Sequence, residues 1–252
     1  GMDIFKLLPK TNCQECGVPT CLAFAMKLAA GQAELASCPY VSDEAREKLE
    51  EASTPPIRPV TIGAGDSAFK IGGETVIFRH EKTFVNKPAI AVLLTDTMGD
   101  GEVEAKLKRF KELQYERVGL TLKADCVAVK DTTGDKNKFV SLIEKVKAAG
   151  VNNLILMSEK PDMQAAALAV CKDLRPLMYA ACNGNGEALG KLAKENSCPL
   201  AVKGKNLDDV AEQTAKLTAM GLKDLVIDTG VRQLNQAFQD QVEVRRAALM
   251  GK

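Results

Sequence analysis

From Ala89 onward the sequence repeats one pattern, a short apolar run followed by an amphipathic stretch, and that alternation admits few folds. The runs are Ala89-Ile90-Ala91-Val92-Leu93-Leu94, Cys126-Val127-Ala128-Val129, Asn153-Leu154-Ile155-Leu156-Met157, Pro176-Leu177-Met178-Tyr179-Ala180, Leu200-Ala201-Val202 and Asp224-Leu225-Val226-Ile227. Consecutive apolar residues mean strands buried on both faces, as in a parallel sheet covered by helices. The stretches between them carry helical stripes, as in 138–146 and at Leu207, Val210, Ala211, Thr214 and Leu217. About six units of roughly 27 residues approach the unit length of a (β/α)8 barrel, whose eighth unit would end roughly 55 residues further on. The expected fold class is α/β, with a TIM-barrel-like parallel (β/α) domain over 89–252. That domain is either an open parallel sheet or a barrel lacking its last two units.

Two segments precede it. Residues 2–54 form a compact unit that ends in a helical run from Ser42, a residue suited to the N-cap, followed by acids in the first turn. Thr54-Pro55-Pro56-Ile57-Arg58-Pro59 breaks any helix, so 55–88 reads as a linker and hairpin lead-in. Its β-like runs are Val60-Thr61-Ile62 and Thr75-Val76-Ile77-Phe78-Arg79, separated by glycines. Gly1 ahead of Met2 reads as a remnant of tag removal.

Lys plus Arg number 34 against 33 Asp plus Glu, a balance that excludes a strongly basic nucleic-acid binder. Aromatic residues are 4% with no Trp, which argues against base-stacking platforms. No apolar run reaches the roughly 18 residues of a membrane span, and the first residues do not form a secretory signal. A cytoplasmic chain with reduced thiols is expected.

Four of the eight cysteines crowd into the first 38 residues. Cys13, Cys16, Cys21 and Cys38 follow the spacing C-x2-C-x4-C-x16-C, and Pro39 follows the last. A [4Fe–4S] cube takes one thiolate on each of four irons, and this spacing suits it. Gly17 and Pro19 bend the chain towards Cys21. That residue opens a helical run over 22–30, closed by Gly31, whose N-terminus favours an anionic group. Structural zinc also takes four thiolates, although zinc ribbons carry two C-x2-C knuckles and this chain carries one. Four unrelated reduced thiols are the remaining alternative.

The residues around this motif resemble a known family. Ile4-Phe5-Lys6-Leu7-Leu8-Pro9-Lys10, Ser37-Cys38-Pro39-Tyr40-Val41-Ser42-Asp43, Pro55-Pro56 and Phe78-Arg79-His80-Glu81-Lys82-Thr83-Phe84 are similar to the large (gamma) subunit of the corrinoid iron–sulfur protein of the acetyl-CoA decarbonylase/synthase system. So are the run from Leu192 to Val202 and Arg245-Arg246. The resemblance implies a [4Fe–4S] domain, a TIM barrel and a C-terminal corrinoid-binding domain. With a small subunit, such a protein accepts a methyl group from methyl-tetrahydropterin through a methyltransferase and passes it, on cobalt, to acetyl-CoA synthase. The cluster returns Co(II) to Co(I). The sequence departs from this pattern near the sixth barrel unit. The expectation is therefore a chain that delivers electrons, binds corrinoid only as part of a longer protein or complex, and is not catalytic alone. A general [4Fe–4S] carrier fused to an α/β domain with its own small-molecule site is the alternative.

Weaker candidates lie at the predicted C-terminal strand ends, where barrels carry active sites: Asp96, Asp131, Glu159, Asn183, Lys203 and Asp228. Helix capping and ordinary loop polarity are the plainer reading of each. Gly184, Gly186 and Gly190 are spaced one residue longer than a dinucleotide fingerprint, so a plain turn with Asn185 as N-cap is expected. His80, the only histidine, has no evident catalytic partner, and Cys126, Cys171, Cys182 and Cys198 read as packing residues.

Overall fold

The computed structural model describes residues 2–29, 33, 35–42, 45, 56–76 and 85–250. The chain divides into two compact units, Gly1–Pro55 and Pro56–Lys252. The first holds helix α1 (Met2–Leu7), helix α2 (Cys21–Ala29) and a short 3₁₀ turn, Leu35–Ser37. Cys21, Phe24, Ala25 and Leu28 recur at helical spacing and form the buried face of α2. They pack with Leu8, Val18, Leu35, Cys38, Val41 and Ala45 in one apolar cluster. Thr20 caps α2, its Oγ1 accepting from the Ala23 N–H at 3.1 Å. Ser42 accepts from the Ala45 N–H at 3.3 Å, as an N-cap would, but residues 43, 44 and 46–49 of the expected helix lie outside the described residues.

In the second unit strands β1 (Val60–Ile62) and β2 (Phe69–Ile71) pair antiparallel. The main sheet begins with β3 (Ala91–Thr95), which leads into α3 (Asp100–Glu112). A hairpin, β4 (Gln114–Arg117) and β5 (Leu120–Lys123), intervenes before β6 (Cys126–Lys130). The alternation continues with α4 (Lys136–Ala148), β7 (Leu154–Met157), α5 (Pro161–Cys171), β8 (Leu177–Ala181) and α6 (Gly186–Glu195). It closes with β9 (Leu200–Lys203), α7 (Leu207–Ala219), β10 (Leu225–Asp228) and α8 (Leu234–Met250).

The main sheet is parallel and has the order β10-β9-β8-β7-β6-β3. Each strand lies beside its sequence neighbour, which is barrel order; a doubly wound sheet reverses direction at a switch point. Among the described residues β3 and β10 do not pair with each other, so the sheet is open and barrel-like. The helices cover one face with a core that includes Leu94, Val127, Val129, Phe139, Leu154, Leu156, Met178 and Leu200. Burying each such side chain contributes about 1.5–3 kcal/mol.

The opposite face is capped in part by the β1–β2 ribbon. Ile62, Phe69 and Ile71 pack on Ile155, Leu177, Tyr179, Ala180, Ala201 and Val226. Asn153 Nδ2 donates to the Ser67 and Asp125 carbonyls at 2.7 and 3.1 Å, joining the ribbon to the base of the sheet. Gly63 passes so close to this amide that a Cβ would sit 2.2 Å from Asn153 Oδ1, and its φ of +93° also calls for glycine.

The lead-in and the segment after α3 differ from expectation. The β-like run 75–79 does not supply a strand where it is described: Thr75 and Val76 are irregular, and 77–79 lie outside the described residues. Phe69–Ile71 pairs with β1 instead, because its alternating Phe and Ile meet the apolar sheet face and Gly72 and Gly73, at φ +79° and +82°, turn the chain away after it. The β4–β5 hairpin was not expected. All eight of its strand residues are exposed, so no core-facing pattern marks it.

Candidate iron–sulfur site

The loop between α1 and α2 carries Cys13 and Cys16, and Cys21 opens α2 directly after it. Lys10, Asn12, Gln14 and Gly17 all have positive φ, at 59°, 51°, 66° and 74°. Left-handed backbone at three non-glycine residues is uncommon and tends to gather where function requires it. The Gly17 N–H donates to the Gln14 carbonyl at 2.9 Å, closing a tight turn that presents Glu15 and Cys16. Asn12 Oδ1 accepts from the Cys21 N–H at 2.8 Å, tying the start of the loop to the first residue of α2. Cys38 follows the 3₁₀ turn, with its N–H bonded to the Leu35 carbonyl at 3.1 Å.

Cys21 and Cys38 are buried, whereas Cys13 and Cys16 are half-buried, and none of the eight cysteines is in a disulfide. Tyr40, two residues beyond Cys38, donates its hydroxyl to Glu15 Oε1 at 2.9 Å. That hydrogen bond and the charge of Glu15 raise the Tyr40 phenol above its ordinary value, and Cys13 and Cys38 lie near enough to add to the effect. Among the described residues no three His, Cys, Asp or Glu side chains gather as a single bound ion requires. A cube asks for a different arrangement, one thiolate on each of four irons. Cys16, Cys21 and Cys38 lie in one apolar cluster, Cys21 opens α2, and soft thiolate donors at the positive end of a helix suit such an anionic group.

The other cysteines differ. Burial pushes Cys126 and Cys171 up to about 12, and Cys182 and Cys198 up to about 11. Thiols so raised stay protonated and act as packing groups.

The candidates at the strand ends are bonded to one another or to nearby loops. Asp96 is buried and accepts from the Thr132 and Thr133 N–H groups and from Thr133 Oγ1, the last at 2.5 Å. Burial raises its carboxyl, but these bonds outweigh that and hold it below its ordinary value. Asp131 accepts from Ser158 Oγ at 2.8 Å, joining the ends of β6 and β7. Glu159 pairs with Lys203 at 2.7 Å, reaching from β7 to β9. Asp228 accepts from Tyr179 Oη at 2.5 Å and from Arg232 Nη2 at 2.8 Å. Burial raises Asp228 too, yet Arg232, Tyr179 and the Gly230 N–H lower it to about 2. Asn183 is exposed. Asn185 stands at the N-cap position of α6 but does not cap it through its side chain. Its Oδ1 accepts from the Cys182 N–H at 2.6 Å and its Nδ2 donates to the Glu159 carbonyl at 2.7 Å, so it bridges two strand ends instead. His80 lies outside the described residues. The residues that sequence reasoning missed, Asn12, Glu15 and Tyr40, flank cysteines without any motif of their own.

Comparison with known proteins bears on both units. Residues 8–40, which contain all four clustered cysteines, match a family model described as an Fe–S cluster. Residues 59–252 match the family described as CO dehydrogenase/acetyl-CoA synthase delta subunit. The chain is 46% identical over 249 residues to the corrinoid/iron-sulfur protein large subunit of Moorella thermoacetica, covering 99% of this chain and 56% of that protein. It is 37% identical over 254 residues to the acetyl-CoA decarbonylase/synthase complex subunit gamma of Methanopyrus kandleri, covering 99% and 54%. The gamma 2 subunit of Methanosarcina thermophila is also 37% identical, over 260 residues, covering 99% and 55%. The chain thus spans about half the length of these relatives. With a match over most of its length, set on a barrel-order parallel sheet and preceded by an iron–sulfur region, the chain belongs to the CO dehydrogenase/acetyl-CoA synthase delta subunit family and is homologous throughout to corrinoid iron–sulfur protein large subunits.

Proposed function

We propose that Cys13, Cys16, Cys21 and Cys38 hold one [4Fe–4S] cluster in a domain spanning 2–54, and that the chain is the electron-delivering part of a corrinoid iron–sulfur protein. The observation that carries this reading is one stretch of chain: the Fe–S match over residues 8–40 contains these four thiols, none of them in a disulfide. When bound, the cluster supplies one-electron reduction. The chain's own residues do the rest. The four thiolates bind it, and the positive end of the α2 dipole favours its negative charge. Asn12 holds Cys21 to the loop that carries Cys13 and Cys16. The half-buried position of these two leaves that side open to a redox partner.

In the complete protein the role of the chain is to supply the electrons that bring corrinoid cobalt from Co(II) to Co(I). This supports methyl transfer from methyl-tetrahydropterin to acetyl-CoA synthase. The partners are the small subunit, the methyl-tetrahydropterin methyltransferase and acetyl-CoA synthase, and the setting is the cytoplasm. Residues 55–88 serve as linker and lead-in, and 89–252 as an incomplete TIM-barrel-like (β/α) domain. Among the described residues no helix is long and apolar enough to cross a membrane.

Anaerobic preparation, iron and sulfide analysis and EPR of the reduced protein test the reading. About four irons and four sulfides per chain are expected. Cys16→Ala should abolish the signal and Cys171→Ala should preserve it. Stoichiometric zinc without sulfide would overturn the assignment. With the corrinoid-bearing remainder and the small subunit supplied separately, Co(II) reduction is followed optically. An equal rate with Cys16→Ala protein would remove the electron-delivery role.

A further inference from the structure

We propose that Tyr40 and Glu15 form a latch that positions the first and last cluster ligands relative to one another and sets how firmly the cluster is held and how readily it is reduced. The inference rests on the cluster reading above and deepens it. Glu15 lies between Cys13 and Cys16, and Tyr40 follows Cys38 by two residues. The 2.9 Å bond from Tyr40 Oη to Glu15 Oε1 therefore joins the two ends of the ligand set across 25 residues of chain. Asn12 already ties the same loop to Cys21. With both bonds in place, all four thiols are referred to one loop, whose other backbone bond, from Gly17 to Gln14, is internal to it.

The pair is built to act on the site and not on the core. Tyr40 is 52% exposed and is not a member of the apolar cluster under α2, so losing its hydroxyl leaves that packing in place. Glu15 brings a carboxylate beside an anionic group, and such a charge opposes the arrival of an electron. The phenol donates to that carboxylate, draws off part of its charge and fixes where it sits. A hydrogen bond to a charged acceptor at an exposed site is modest in stability, but here it joins two ligand-bearing segments.

Four variants and two readouts test the latch on the reconstituted chain. Tyr40→Phe should release iron to a chelator several-fold faster and shift the midpoint potential, read by EPR-monitored titration, to more negative values. Glu15→Gln keeps an oxygen acceptor and removes the charge, so iron should be retained as in the parent while the potential moves to more positive values. In a Glu15→Ala background, Tyr40→Phe should add nothing to the release rate, because the two residues act as one unit. Equal release rates for Tyr40→Phe and the parent, or additive effects in the double variant, would overturn the latch. An unmoved potential in Glu15→Gln would overturn its electronic part. A parent chain that takes up no iron and sulfide would overturn the cluster reading itself, a distinct result.

Discussion

The guanidinium of Arg175 donates from Nη1 to the carbonyl of Thr61 at 2.9 Å, joining residues 114 positions apart. The same side chain donates from Nε to the Ser197 carbonyl at 2.9 Å and from Nη2 to Asp224 Oδ2 at 2.6 Å. Its own carbonyl accepts from the Gly63 N–H at 3.1 Å. Arg175 thus clasps the β1–β2 ribbon to the loops before β9 and β10. Arg175→Met should lower unfolding stability by about 2–3 kcal/mol, since a carboxylate and two carbonyls lose their donor. Urea titration of both proteins checks this, and equal midpoints would show that the ribbon is held by packing alone.

Gly63→Ala should be as damaging for a different reason. The added methyl meets Asn153 Oδ1 at 2.2 Å and the backbone is left-handed, so either the ribbon or the amide must shift. A loss of about 2–4 kcal/mol is expected. Thermal melts resolve it. Gly65→Ala, where nothing lies within 4 Å, should lose only the smaller share due to its φ of +64°.

Val118 points the other way. It occupies a left-handed position, φ 51°, in the two-residue turn of the β4–β5 hairpin and is 93% exposed. Asn-Gly suits such a turn and β-branched residues do not. Val118→Asn should raise stability by about 0.5–1 kcal/mol, or at least increase hydrogen-exchange protection of residues 114–123. Unchanged protection would count against the turn as the weak point.

Acid should expose the Asp228 network. Its carboxyl is lowered from 3.8 to about 2 in the folded chain, so its stabilisation is fully present above pH 4 and is lost as pH falls towards 2. The shift corresponds to about 2 kcal/mol. Stability measured from pH 7 down to pH 2.5 should fall less steeply in Asp228→Asn than in the parent. Parallel curves would contradict the assignment.

Alkylation should sort the cysteines. Cys126 and Cys171, buried and pushed up to about 12, should resist iodoacetamide at pH 8 until the chain unfolds. Cys13 and Cys16 should be labelled in cluster-free protein and protected after reconstitution. Mass spectrometry of the labelled peptides decides it, and rapid labelling of Cys171 in the native chain would refute the packing role.

The six main strands were legible because each is apolar over consecutive residues, as in Leu154-Ile155-Leu156-Met157, although β3 leaves Ala91 and Leu93 exposed. Their order followed from the regular spacing. The hairpin was not legible. Tyr115 and Leu122 face one another in an exposed ribbon, and Val118-Gly119 lacks the usual turn signal. Phe69–Ile71 escaped notice because three residues are too few to display a period. At the N-terminal site the spacing of the thiols was plain, but the partnership of Glu15 with Tyr40 was not. A contact across 25 residues leaves no trace in local pattern.

The strand order has a consequence for how the chain is made. Each new strand of the main sheet docks on the one made just before it, so the sheet can grow in the direction of translation with short loop closures at every step. The β1–β2 ribbon breaks that rule. It is synthesised first, yet Leu177, Ala180 and Ala201, on which it packs, and Arg175, which clasps it, emerge more than 100 residues later. The ribbon must wait, with Ile62, Phe69 and Ile71 uncovered, until β8 and β9 have left the ribosome. During that interval its apolar side chains are open to non-native contacts.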